Sequence, residues 1–251
     1  VRPGGVALID EFVPDAVVAS VCDDVRVLRV GAGLFADIRA VDVSDERGLY
    51  SFVPMVEGRR LTRVRLRVPG RFQMHNALFA LGLTKLGGAD LDLACEGLSE
   101  FRGVHRRFEM RQGASGGTLI DDYAHHPEEI RAVLRTARRC FPAKPILVAF
   151  EPHQHQRTLH LLDEFAEVLK DADLSIVSDI YSAREAGDIC DQVSAVDLVD
   201  RIRELGGRSE PGGDVRRLPD RIETLRRNDE LVLMLGAGQI DAVVEDVLAR
   251  L

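Results

Sequence analysis

No apolar run in this chain of 251 residues approaches the roughly 18 needed to span a bilayer, and no signal peptide opens it. Cysteine is sparse. Cys22, Cys95, Cys140 and Cys190 lie too far apart for a CxxC zinc or redox pair. Without a secretory signal they read as reduced thiols of a cytoplasmic protein. Basic charge is short as well: 33 Lys and Arg against 41 Asp and Glu leave a net charge of −8. A general nucleic-acid binder needs clustered cations to neutralise phosphates, so that class is set aside. Disorder is excluded too, because 45% apolar and 29% charged residues are ordinary for a globular fold. There is no internal repeat and no low-complexity tract.

What is present divides into two rhythms. From Val17 to Val68 short β-branched runs are broken by Gly and Asp, a strand-rich pattern. Leu61–Val68 alternates apolar and basic residues with period two, predicting a half-buried strand whose arginines face water. Residues 50–56, across the turn signal Glu57-Gly58-Arg59, supply an antiparallel partner. Helices follow over 73–86, stopped by Gly87-Gly88, and over 91–98.

After about Arg111 the chain alternates strand and helix. Strands are expected over 118–121, 146–150, 174–178 and 231–235, and helices over 127–139, 159–169, 195–205 and 240–251, with Ser194 as an N-cap. Continuously apolar strands between amphipathic helices mean an α/β fold, a doubly wound, mostly parallel sheet covered on both faces. Ligands in such sheets sit beyond the carboxyl ends of the strands.

All seven histidines fall between His75 and His160, and several lie on strand-end loops. In Asp121-Asp122-Tyr123-Ala124-His125-His126-Pro127 a strand delivers two carboxylates, an aromatic and two histidines to a helix start. That pattern suits ribose hydroxyls and an anion, or else a helix cap at Asp122 with surface histidines. Glu151-Pro152-His153-Gln154-His155-Gln156-Arg157 follows the next strand, with Arg157 as a fork for a carboxylate or phosphate. His153, His155 and His160 lack a companion carboxylate or cysteine, so metal ligation is the weaker reading. Arg106 and Arg107, at the expected junction, reach nucleotide phosphates or are solvated linker charges. Gly236-Ala237-Gly238 is a strand-to-helix turn that phosphate binding and close packing explain equally well.

Together these segments resemble the Mur ligases of peptidoglycan synthesis. Gly70–Ala80 (GRFQMHNALFA), Phe101–Glu109 (FRGVHRRFE), Tyr181–Asp188 (YSAREAGD) and Leu235–Asp241 (LGAGQID) support DDYAHHP and PHxxxRT. The resemblance covers at least residues 65–251, and the pairing of those last two motifs is similar to the branch that joins L-alanine to UDP-N-acetylmuramate. The recycling branch, which attaches a peptide to UDP-N-acetylmuramate, and a non-catalytic nucleotide-binding module are the alternatives.

The resemblance implies a Rossmann-like C-terminal domain preceded by a P-loop-type ATPase domain, and a reaction through an acyl phosphate that uses ATP and Mg²⁺. It implies ATP contacts at Asn76, Arg106 or Arg107, and Asp122, the last to the ribose. It implies a substrate site at Tyr123, His125, His126, His153 and Arg157. Phe72 and Gln73 depart from the family's His-Asn, and Gln154 replaces an arginine common in relatives. Nothing here resembles the Gly-rich phosphate loop, the Mg²⁺ ligands or the UDP-sugar domain. With Val1 in place of Met, the expectation is the C-terminal part of a longer ligase: residues 1–110 as the tail of the ATPase domain and 111–251 as the C-terminal domain, without turnover alone.

Overall fold

The computed structural model describes residues 2–20, 24–185, 187–227 and 229–251, so Cys22 lies outside the described residues. The chain forms two compact units, residues 1–102 and 103–251.

The first unit is built from β1 (Val6–Asp10), α1 (Asp15–Val18), β2 (Arg26–Gly31), β3 (Ile38–Glu46), β4 (Leu49–Val56), β5 (Arg59–Arg60), β6 (Val64–Arg65), α2 (Arg71–Leu86) and α3 (Leu91–Glu100). Its sheet runs β1-β2-β3-β4-β5, with β6 also on β4. The pairs from β1 to β3 are parallel and those on β4 antiparallel. Two tight hairpins make the antiparallel part. Arg47-Gly48 and Glu57-Gly58 each hold two successive positive φ angles, the turn whose twist matches that of paired strands. Leu78 and Leu81 of α2 pack with Ile38 and Phe52 of the sheet. Cys95 of α3 joins this core, and burial pushes its thiol pKa up to about 11, an inert thiol.

The Leu61–Val68 expectation is corrected here. Val64, Leu66 and Val68 are buried in alternation and Leu61 is buried three residues before Val64, but only Val64–Arg65 pairs as a strand. Period two records which side is buried, and a ladder also needs a free partner edge. Arg67 instead donates to the Ser99 carbonyl oxygen at 2.9 Å.

The second unit carries β7 (Glu109–Gln112), β8 (Thr118–Asp122), α4 (Pro127–Cys140), β9 (Ile146–Glu151), α5 (His155–His160), α6 (Leu162–Leu169), β10 (Leu174–Ser178), α7 (Ala195–Glu204), β11 (Ser209–Gly213), α8 (Leu218–Leu225), β12 (Leu231–Gly236) and α9 (Val244–Leu248). Strand order is β11-β10-β9-β12-β8-β7, parallel throughout except β7 on β8. Residues 103–110 therefore fall with the second unit, eight residues before the expected boundary, because β7 pairs with β8 and Phe108 is buried.

Successive residues of a strand serve opposite faces. Leu119, Leu147, Ala149, Ile176, Val232 and Met234 pack with residues of α8 and α9. On the other face Phe150 meets Phe165 of α6 with ring centroids 5.4 Å apart. Two further expectations are revised: the helix over 159–169 is two, broken at Leu161, and the closing helix starts as a 3-10 turn at Ile240–Val243. Ser194 does cap α7, paired reciprocally with Asp197.

Candidate functional site

β12 returns to the middle of the sheet, between β8 and β9. The crossover after β8 and the crossover into β12 run in opposite directions across the sheet, which sends α4 and α8 to opposite faces, and α9 packs with α8. The carboxyl ends of β8, β9 and β12 thus open the crevice where such sheets bind ligands. Asp121 and Asp122 end β8, Glu151 ends β9 and Gly236 ends β12.

All three carboxylates are buried and engaged. Asp122 accepts from the backbone N–H of Phe108 at 2.7 Å and of Ala124 at 2.8 Å. Glu151 accepts from the backbone N–H of Ile240 at 2.8 Å. Asp121 lies 3.4 Å from Nε of Arg106. Burial pushes all three carboxyls above the ordinary range; the N–H bonds at Asp122 and Glu151, and Arg106 at Asp121, oppose it.

The Gly-rich turn is explained by Glu151. A Cβ on Gly238 would meet Glu151 Oε2 at 2.5 Å and Tyr181 Cγ at 2.9 Å, and one on Gly236 would meet the Glu151 carbonyl oxygen at 3.0 Å. Close approach of carboxylate and ring accounts for Gly238, and a φ of 154 with the β9 backbone alongside accounts for Gly236.

Of the adjacent arginines, Arg106 is the buried one. It is 7% exposed, and its guanidinium donates to the Gly236 carbonyl oxygen at 2.5 Å and lies 3.4 Å from Asp241. It clamps the β12 turn and is committed to protein partners. Arg107 is the exposed one, 5.4 Å from the Tyr123 ring centroid, with Arg106 at 5.1 Å. The solvated-linker alternative does not describe Arg106, which is buried.

Above these groups runs a row of rings. Tyr123 meets His125 with centroids 5.4 Å apart, His125 meets His153 at 6.0 Å, and His153 meets Tyr181 at 5.5 Å. His125 Nδ1 lies 3.0 Å from the Tyr123 carbonyl oxygen and 3.4 Å from Glu129 Oε2. Arg157, on α5, donates to the His153 carbonyl oxygen at 3.4 Å. Burial, then the charges of Arg157 and His125, hold the His153 ring below the ordinary histidine range, so it is neutral at pH 7. Among the described residues no group of three His, Cys, Asp or Glu is placed to hold a metal ion.

The structure thus gathers Arg107, Tyr123, His125, His153 and Arg157 at one sheet edge. Asn76 is an exposed residue of α2 in the first unit. His126 is exposed and is the N-cap of α4, its backbone N–H held by Glu129 at 3.2 Å. The cap alternative for Asp122 is therefore replaced: each of its two carboxylate oxygens accepts one backbone N–H, and each keeps a second lone pair. Sequence reading assigned no role to Tyr181, Glu151 or Glu185. Each lies inside a quoted motif, and that placement was the available signal.

Residues 106–238 match the family described as Mur ligase, glutamate ligase domain. The chain is 40% identical over 230 residues to a UDP-N-acetylmuramate–L-alanine ligase of Caldanaerobacter subterraneus subsp. tengcongensis, covering 89% of this chain and 48% of that protein. It is 37% identical to the ligase of the same name from Geobacter sulfurreducens, covering 90% of this chain and 49% of that one. Among solved structures, UDP-N-acetylmuramate–alanine ligase from Thermotoga maritima superposes with a TM-score of 0.71 at 26% identity, over 90% of this chain and 52% of that one. A murein peptide ligase from Psychrobacter arcticus shares the fold, with a TM-score of 0.68 at 20% identity over 94% of this chain and 48% of that one. The chain spans about half the length of the curated relatives it matches. No helix among the described residues is long and apolar enough to cross a membrane. With more than half of its residues matched to the domain, the chain belongs to the Mur ligase family.

Proposed function

We propose that this chain supplies the C-terminal part of an ATP-dependent ligase that joins L-alanine to UDP-N-acetylmuramate in peptidoglycan precursor synthesis. The observation that carries the reading is the contact of His125 with His153, ring centroids 6.0 Å apart, which sets the DDYAHHP and PHQHQRT loops side by side. The names of the relatives support the same substrates.

Such a reaction activates a carboxylate as an acyl phosphate, and an amine then displaces the phosphate. This chain contributes position and charge. Arg107, exposed at the β8 end, is placed for the phosphates of ATP, and Tyr123 supplies a ring face beside it. Arg157 is the fork for the carboxylate of alanine or of the sugar's lactyl group, with His153, His125 and His126 as polar neighbours. Asp122 holds the turn carrying Arg107 through the Phe108 N–H, and the remaining lone pairs of its carboxylate are the acceptors for a ribose hydroxyl. Asn76 is assigned to ATP by resemblance alone. Mg²⁺, if the reaction uses it, takes its ligands mainly from outside this chain, and the protein acts in the cytoplasm.

The test is to read the open frame upstream of the Val1 codon and assay the protein it encodes. The reading expects a GxxGK(T/S) loop upstream, and ADP and phosphate release that requires both L-alanine and UDP-N-acetylmuramate. Release supported by a tripeptide but not by alanine would transfer the chain to the recycling branch. No release with either substrate would overturn the ligase reading.

A further inference from the structure

Two loops that carry different motifs are tied together at the edge of the site. One follows β9, Pro152–Gln154, and leads into the first turn of α5; the other follows β10, Tyr181–Glu185. Tyr181 donates its N–H to the Pro152 carbonyl oxygen at 2.8 Å and accepts from the Gln154 N–H at 2.8 Å. His153 and Tyr181 form a parallel β-bridge, and their rings touch. Four residues after Tyr181, Glu185 closes the tie. Its carboxylate accepts from the His155 N–H at 2.5 Å and the Gln156 N–H at 3.0 Å, and its Oε2 lies 3.3 Å from His155 Nδ1.

α5 has no cap of its own. Its N-cap, Gln154, stands at φ 73 and makes no side-chain bond to the helix. A carboxylate 30 residues away takes that place, so the first turn of α5 depends on another loop. Arg157 is the third residue of α5, and His153 lies just before it. Burial draws the Glu185 carboxyl up, but the bonds from Gln156 and His155 outweigh it and hold it below its ordinary range. It is ionised at neutral pH. Tyr181 is fixed from beneath by Gly238, where no Cβ fits.

We propose that Glu185 is the positioning residue for the His153–Arg157 segment, latching it to the loop after β10 so that Arg157 and His153 face the substrate carboxylate in one fixed arrangement. The inference rests on the ligase reading for its substrate half and on this chain alone for the latch. Glu185 touches no substrate; it acts through the backbone of His155 and Gln156.

Two measurements test it. In this chain, amide exchange compares wild type with Glu185→Gln, which keeps length but loses one acceptor, with Glu185→Ala, and with Arg184→Ala, a change at an exposed neighbour. The expected result is protection at His155 and Gln156 lowered about tenfold in Glu185→Gln and further in Glu185→Ala, with β9 and β12 unchanged. Unchanged protection at those two amides overturns the latch. If Glu185→Ala does not fold, Glu185→Gln alone decides.

In the protein encoded by the complete frame, Glu185→Gln is expected to lower kcat/KM for alanine or UDP-N-acetylmuramate by about tenfold to a hundredfold. The KM for ATP should stay within about twofold, and Glu185→Asp should recover part of the loss, a split that generalised loosening would not give. Equal loss for all three substrates overturns the positioning role. A wild-type protein without ligase turnover removes the ligase reading and the substrate half with it, while the exchange measurement still decides the latch.

Discussion

β8, β9, β10 and β12 of the second unit are buried at every residue, whereas β1 of the first unit has no fully buried residue and β3 is buried only at Ile38 and Ala40. In the second unit helices pack against both faces of a parallel sheet. In the first, α2 packs on one face of a mixed sheet, and large apolar side chains remain in water: Phe12 at 82%, Leu34 at 81% and Phe35 at 95% exposure. The difference explains where charge can be buried. A sheet covered twice has a dry edge at its strand ends, where Asp121, Asp122, Glu151 and Arg106 are held. In the first unit the charged groups sit on the surface, as Arg59–Asp92 and Lys85–Glu57 do.

The comparison breaks most directly at Arg106. Arg106→Ala leaves the Asp121 carboxylate buried without its cation and should cost the second unit about 3–5 kcal/mol, read as a lower urea midpoint. A loss under about 1 kcal/mol, the value usual for an exposed pair, would show that this edge is wetter than its burial indicates. Next is Gly238→Ala, whose Cβ must displace Glu151 and Tyr181. Overpacking of that kind costs about 1–3 kcal/mol, and the same melt or urea titration measures it.

The third is a pH dependence. Glu151 has its pKa raised by burial, so the folded state binds that proton more tightly than the unfolded chain. Its contribution to stability therefore falls as pH rises from the ordinary carboxylate range through the raised value. As pH falls from neutrality toward the ordinary carboxylate range, wild type should gain stability relative to Glu151→Gln. Parallel curves would mean that Glu151 carries no shifted proton. The smallest effect is expected in the first unit: Phe35→Ser should change stability by no more than about 0.5 kcal/mol while reducing self-association in light scattering. A large loss would reveal a packing role at a side chain that is 95% exposed.

The same contrast governs what the sequence discloses. β9, β10 and β12 are runs such as Ile146–Phe150 and Leu231–Leu235, apolar because both faces are covered, and their limits are legible to within a residue. β11 reads Ser-Glu-Pro-Gly-Gly, with nothing to mark a strand; it exists because β10 offers an edge. β1, β7 and α8 were likewise unread, and the break at Leu161 follows no proline or glycine. At the site, Tyr123, His125, His153 and Arg157 were visible as polar residues crowded after apolar strands. Glu185 was not, since its partners lie 30 residues upstream and only the fold joins them. Arg106 and Arg107 look alike in sequence, and their division into a buried clamp and an exposed cation is a property of tertiary packing alone.

β12 has a further consequence for how the protein is made. The ribosome delivers β8 and β9 long before Leu231–Gly236, yet in the finished sheet neither touches the other, because β12 fills the space between them. A nascent chain that has not yet reached Leu231 holds two unsatisfied strand edges facing one another across a gap one strand wide. Its central hydrogen bonds arrive last, and until then those edges are open to pairing with a neighbouring chain.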